Sequence, residues 1–313
     1  MTTLLYAHDD CLEHLPGKGH PERPERLRAV LAALDGPGFE GLLRREAPLA
    51  ELAQLSRVHP EAFVRQILDA VPVEGQVAID MDTAMSPGSG RAALRAAGAV
   101  CAAVDAVLRG EAQNAFCAVR PPGHHAEPHR SMGFCLFNNI AIGAQQARAV
   151  WGLKRVAVVD FDVHHGNGTQ AAFADDPDLF YASTHQWPLY PGTGRPDERG
   201  CNGNILNAVL PPGAGSERFR AAMRDQVLPA LDSFAPELVM ISAGFDGHVG
   251  DPLAELELED ADYGWATSEL CALARRHSGG RLVSVLEGGY SLAALESAAR
   301  EHVAALLHAP AAG

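Results

Sequence analysis

Asp160-Phe161-Asp162-Val163-His164-His165-Gly166-Asn167-Gly168-Thr169-Gln170 gathers carboxylates and imidazoles at a spacing that can close on a cation. On an extended backbone successive side chains alternate faces, so Asp160, Asp162 and His164 would share one face and Phe161 and Val163 the other. Oxygen and nitrogen donors two residues apart suit zinc or a similar divalent ion. Taken alone, the stretch could also be a hydrogen-bonded Asp/His loop without a metal, and its partners must decide. The apolar run 156–159 leads straight into it, which reads as a buried strand delivering ligands at its carboxyl end. Gly166, Asn167 and Gly168 are expected to end that strand and turn the chain.

Three other stretches have the same design. Residues 115–119 run into Arg120-Pro121-Pro122-Gly123-His124-His125, residues 238–242 into Ala243-Gly244-Phe245-Asp246, and residues 282–286 into Glu287-Gly288-Gly289-Tyr290. In open parallel sheets ligands gather beyond the carboxyl ends of strands. Asp162, His164 and Asp246 would leave coordination positions open, as a catalytic metal requires. Such a metal lowers the pKa of bound water from about 15.7 to ~7 and polarises a carbonyl. It needs a proton acceptor nearby, which His124 and His125 supply, and Asp160 could hold the second nitrogen of one ring while Asn167 holds that of the other. Two glycines before Tyr290 would let its hydroxyl turn inward toward an oxyanion; the plainer alternative is an aromatic residue on a rim.

The elements that must position these groups can be read along the chain. Residues 3–6 form a first strand. His20-Pro21-Glu22-Arg23-Pro24-Glu25-Arg26-Leu27 is a rigid, proline-fixed entry to a helix over 25–34, its charges expected to be solvated or locally paired and Arg26 the one held open for another role. Helical spacing marks 59–69, 140–150, 169–174, 217–234, 259–277 and 292–307, with Ser291 as N-cap of the last. An Ala-rich helix over 90–110 would pack closely, with Gly98 and Cys101 as packing residues. Residues 78–90 read as an irregular loop, and 179–184 as a strand ending at His185. Helices alternating with β-branched strands imply an α/β fold, a mainly parallel sheet covered by helices on both faces. No repeat or linker divides the chain, so 1–313 is expected to be a single domain with 309–313 as a frayed tail.

The whole-chain numbers agree with an ordered, soluble protein: 313 residues, 47% hydrophobic and 20% charged. A net charge of -14 argues against a nucleic-acid partner and suits a cationic substrate, or simply aids solubility. Six scattered cysteines, no C-x-x-C pair and no leader pattern predict a reduced, cytoplasmic protein. No run reaches the ~18 apolar residues of a membrane span. A loop-built rim would permit a homo-oligomer over the site.

Taken together, H-P-E-R-P-E-R-L, R-P-P-G-H-H-A, D-F-D-V-H-H-G-N-G-T-Q, S-A-G-F-D and E-G-G-Y closely resemble the zinc-dependent histone deacetylase family over essentially the whole chain. The class II branch, with bacterial amidohydrolase and acetylpolyamine amidohydrolase relatives, is nearest in character. The resemblance implies an arginase-like fold and hydrolysis of acetyl-lysine-like amides, with one zinc on Asp162, His164 and Asp246. It makes His125 the general base and later acid, His124 its electrostatic partner, Asp160 the residue paired with His124, and Tyr290 the carbonyl clamp. Asn167 stands where another branch has aspartate. It further implies a channel walled by Phe134 and Tyr190, a backbone contact from Gly133, substrate binding by Asp82 at the rim, and a structural potassium ion on Asp160, Asp162, His164, Ser183 and Thr184, mostly through backbone oxygens.

Three alternatives remain at this point. A binuclear manganese hydrolase of the arginase type would need a further carboxylate where Gly166 stands. A silent acyl-lysine-binding protein would keep the pocket without His124, His125 and Tyr290 as a working set. Acetylated polyamines rival acetyl-lysine as substrates, although Leu253, where polyamine-selective relatives can carry glutamate, tilts toward acyl-lysine or a broad range.

Overall fold

The computed structural model describes residues 2–309. Its main sheet is built from β1 (Thr3–Ala7), β2 (Leu42–Glu46), β5 (Asn114–Cys117), β6 (Val156–Asp160), β7 (Leu179–Gln186), β8 (Ile205–Leu210), β9 (Leu238–Ala243) and β10 (Leu282–Leu286), while β3 (Val77–Ala78) and β4 (Ala84–Met85) make a separate pair. The eight strands run β2-β1-β5-β10-β9-β6-β7-β8, and every adjacent pair is parallel. The fold is therefore α/β with a parallel sheet.

Every residue of β5, β6, β7, β9 and β10 is buried, which requires cover on both faces. That explains why these strands read as continuous apolar runs rather than alternating ones. Helices Pro24–Leu34, Leu292–Leu307 and Asp260–His277 pack in succession on one another, and Ser89–Leu108 packs on Asn139–Trp151. Gly98 makes the long Ala-rich helix fit: a Cβ there would lie 2.0 Å from the Pro48 carbonyl oxygen. Cys101 is likewise buried, as a packing residue should be.

Several local expectations need correction. Residues 78–90 are not wholly irregular, because β3 and β4 pair there and a helix begins at Ser89. The helix over 217–234 is interrupted by a π turn, Met223–Val227, just before Pro229, which has no N–H to give. The strand expected to run through His164 to Gly166 ends at Asp160, 161–166 are bent loop, and Asn167 does not turn the chain but opens the helix Asn167–Phe173. Ser291 occupies the N-cap position without a side-chain cap bond; Asp251 Oδ2 instead accepts from the N–H groups of Tyr290 (2.6 Å) and Ser291 (3.0 Å). Ala309 is 8% exposed, so fraying does not begin there, and 310–313 lie outside the described residues.

The largest correction concerns the proline-rich entry segment. Glu22 and Arg26 are not solvated but completely buried. Glu22 receives Arg120 through both carboxylate oxygens, Arg120 Nη2 lying 2.7 Å from Oε2, and Arg26 Nη1 lies 3.1 Å from Oε1. Arg26 then reaches onward, donating to the carbonyls of Glu287 and Gly289 at 2.5 Å each, with its guanidinium 4.8 Å from the Tyr290 ring centre. The segment thus buttresses the Gly-Gly-Tyr loop.

Candidate metal centre and adjoining pocket

Strands β5, β10, β9 and β6 are consecutive neighbours in the sheet, and these four deliver His124/His125, Tyr290, Asp246 and Asp162/His164 at their carboxyl ends. Ligating atoms of Asp162, His164 and Asp246 all lie within 4.8 Å of one another. His164 Nδ1 is 3.2 Å from Asp162 Oδ1 and 3.1 Å from Asp246 Oδ2. The carboxylates are held by backbone: Gly288 N–H donates to Asp162 Oδ2 at 2.8 Å and Val163 N–H to Asp246 Oδ1 at 2.9 Å. No side chain fits between them, since a Cβ on Gly288 would meet Asp246 Oδ2 at 2.1 Å and one on Gly244 would meet Asp162 Oδ2 at 2.1 Å.

Two carboxylates and one imidazole form a donor set that fits a divalent ion such as zinc. The charge balance agrees. Asp160, Asp162, Asp246 and Glu287 are all buried, and among the described residues no lysine or arginine forms an ion pair with any of them. Burial, then the Asp162 charge, pushes Asp246 up to about 7, and burial pushes Glu287 up to about 7. Burial opposes charge on His164 also, but Asp162 and Asp246 outweigh it and raise the ring to about 10. The ensemble seeks positive charge.

The two histidines beside the cluster stand 4.0 Å apart, ring centre to ring centre, and differ in what backs them. His124 Nδ1 is 2.9 Å from Asp160 Oδ2, which also accepts from the Tyr181 hydroxyl at 3.0 Å. His125 Nδ1 is 2.9 Å from Asn167 Oδ1. Burial works against a charge on both. At His124 the Asp162 and Asp160 carboxylates overcome it and hold the ring at about 10; at His125 burial, then the charges on His124 and His164, drive the pKa well below 6.5. Gly166 belongs to this backing: a Cβ would lie 2.4 Å from Asp160 Oδ2 and 2.6 Å from the Tyr181 oxygen. The position that a second metal's carboxylate would need has no room for any side chain.

In front of the cluster lies a cavity of about 210 Å³ lined by Asp82, His125, Gly133, Phe134, His164, Tyr190, Leu253 and Tyr290. Every channel residue singled out from the sequence is thus on its wall. A larger surface groove of about 630 Å³, past Lys18, Arg23 and Arg28, shares none of these residues. Phe134 takes a left-handed backbone, φ 67°, a strained state for a bulky residue. It is held there by Thr83 Oγ1, which accepts from its N–H at 3.0 Å, while Asp82 Oδ1 accepts from Gly133 N–H at 3.1 Å. At Gly133 a Cβ would meet the His125 ring at 2.5 Å, so the wall can close on that ring only at glycine. Asp82 therefore shapes the wall as well as lining it.

For the expected potassium ion, Ser183 Oγ is taken by His185 Nδ1 at 2.9 Å, whereas the buried Thr184 Oγ1 has no hydrogen-bond partner among the described residues. Glu287 was missed by sequence reading. It accepts from the N–H groups of Gly123 (2.7 Å) and His124 (3.1 Å), tying the end of β10 to the histidine loop. Its place at a strand end beside two glycines was the available signal.

The model of the histone deacetylase domain matches residues 20–306. The chain is 41% identical over 298 residues to a probable deacetylase of Archaeoglobus fulgidus, covering 93% of this chain and 82% of that one. It is 43% identical over 278 residues to a histone deacetylase-like amidohydrolase of Pseudomonas aeruginosa, covering 87% and 73%. Among solved structures, the HD domain of HDA15 superposes with a TM-score of 0.90 at 36% identity, over 98% of this chain and 88% of that one.

Proposed function

The chain belongs to the histone deacetylase domain family, and from that premise we propose that it removes acetyl groups from lysine-like amines with one zinc ion held by Asp162, His164 and Asp246. The observation that carries the reading is the shared cavity: His164 of the ligand cluster, His125 and Tyr290 line the same narrow pocket. When bound, the ion would acidify a water molecule and polarise the amide carbonyl.

The remaining work falls to the chain. His125, kept neutral by burial and by its neighbours, accepts the proton released as water adds to the carbonyl and passes it to the departing amine. His124, held protonated by Asp162 and Asp160, keeps a positive charge beside that exchange. Tyr290, whose phenol burial holds well above 10, stays protonated and donates to the developing oxyanion. Phe134 and Tyr190 enclose the aliphatic stem and exclude water, and Asp82 binds the substrate backbone at the rim. A silent binder would have no use for this paired set. A potassium ion on Asp160 and neighbouring backbone oxygens is the companion proposal, supported by the unpartnered Thr184 hydroxyl.

Leu253 at the mouth supports acetyl-lysine over polyamines, since its side chain offers a distal ammonium no carboxylate. The test is kcat/KM of the zinc-loaded protein on an acetyl-lysine peptide, N-acetylputrescine and acetylspermidine. The peptide should be used at least as well as either polyamine. A strong polyamine preference would overturn the substrate class, and no turnover of any would overturn the activity.

A further inference from the structure

The hydrogen-bond chain behind His125 continues past Asn167. Asn167 Nδ2 donates to Glu127 Oε1 at 2.8 Å and to Met132 Sδ at 3.4 Å. An amide has donors only on its nitrogen and acceptors only on its oxygen, while a carboxylate and a thioether both accept. The orientation is therefore decided by chemistry. Turned over, the amide would set its oxygen against two acceptors and its N–H groups against His125. As it stands, Oδ1 faces His125 Nδ1 at 2.9 Å, so a neutral His125 must carry its proton on Nδ1 and leave Nε2 bare.

The clamp is itself anchored. Glu127 sits in a tight turn two residues beyond His125, its N–H donating to the Arg130 carbonyl at 2.9 Å and its carbonyl accepting from the Arg130 N–H at 3.2 Å. Asn167 lies on a different segment, in the first turn of its helix, and is buried. Glu127 is only half-buried.

We propose that Glu127, with Met132 beside it, is a positioning residue that locks the Asn167 amide and through it the Nδ1–H tautomer of His125. Its kinetic consequence rests on His125 being the proton acceptor of the proposed reaction; the tautomer itself does not. Without Glu127 the amide loses its strongest acceptor and both orientations become populated. In the wrong one, Nε2 carries the proton and cannot accept another.

The test compares Glu127→Ala and Glu127→Gln as zinc-loaded proteins. Partners that orient a site histidine typically change rates ~10–100-fold, so Glu127→Ala should lower kcat about tenfold with KM nearly unchanged. Glu127→Gln keeps an acceptor oxygen and should retain most of the rate. Independently of turnover, long-range ¹H–¹⁵N spectra of the His125 ring, identified by its loss in His125→Ala, should show Nδ1–H alone in the wild type and a mixture in Glu127→Ala. An unchanged ring spectrum in Glu127→Ala overturns the proposal whatever the rate does, as does equal damage from alanine and glutamine. If the wild type hydrolyses no acyl amine, the functional reading falls while the ring spectra still decide the tautomer.

Discussion

Two buried clusters of charge lie on either side of the Gly288-Gly289-Tyr290 loop, and they are compensated in opposite ways. Behind the loop, Glu22 is enclosed by Arg120 and Arg26 with His14 3.4 Å away, all of them buried. Burial alone would raise Glu22, yet Arg120 foremost holds it down at about 2. In front, Asp160, Asp162, Asp246 and Glu287 have histidines, the Tyr181 and Ser242 hydroxyls and backbone N–H groups for company, and among the described residues no lysine or arginine. An uncompensated buried carboxylate is costly, and relief comes from protonation or from a cation. The rear cluster carries its own counter-charges and is structural. The front cluster has no such fixed counter-charge, and under the proposed function a divalent ion would complete it.

The most severe way to break this comparison is to remove the rear cluster's centre. Glu22→Gln leaves two buried guanidinium groups short of their partner, and losses of this kind run to ~3–5 kcal/mol. Chemical denaturation should show that loss with and without zinc. The pH dependence has a definite sign. The folded-state pKa is depressed from 4.5 to about 2, so the Glu22 contribution is complete above pH 4.5 and drains away as pH falls toward 2. The stability gap between wild type and Glu22→Gln should narrow over that window and stay constant above it.

At the junction of the clusters, Tyr290→Phe keeps the packing on Arg26 and deletes only the hydroxyl. Loss of a comparable oxyanion donor lowers kcat ~10²–10³-fold. Steady-state kinetics on an acetyl-lysine substrate should show this with unchanged thermal stability, and a fully active variant would remove Tyr290 from the chemistry. A smaller effect separates the two clusters directly. Zinc at 100 times its Kd should stabilise the wild type by about 2.7 kcal/mol. Calorimetry should find the same increment in Glu22→Gln and none in Asp246→Asn.

Much of the front cluster was legible because its members follow apolar runs: a buried parallel strand is a continuous hydrophobic segment, and a ligand placed directly after it must sit at the sheet's end. Asp162, His164, Asp246, His124 and His125 all carry that local mark. Their convergence carries no local mark and was expected only from the rule that ligands gather at strand ends; that β5, β10, β9 and β6 are neighbours could not be read from their order in the chain. The rear cluster was read only in part, for the same reason. Glu22 and Arg26 look like helix-entry charges that are solvated or locally paired; the local pair between them is present, but the partner that buries Glu22, Arg120, stands 98 residues away. Nothing local distinguishes a charge paired at that distance from one paired with water. Phe134 in the left-handed region was also hidden, since Thr83 and Asp82, which hold its loop, lie 51 residues earlier. The outer partners Glu287 and Glu127 are single polar residues whose roles exist only once the loops are brought together.

The central claim is that one divalent ion completes the charge of Asp162, His164 and Asp246 and thereby makes the pocket a hydrolase. The direct measurement adds zinc stepwise to chelator-stripped protein, following bound metal and acetyl-lysine hydrolysis together. Activity should rise in proportion to occupancy and level off at about one ion per chain, with no rise in Asp246→Asn. Full activity in the stripped protein, or a plateau reached only at about two ions per chain, would contradict the account.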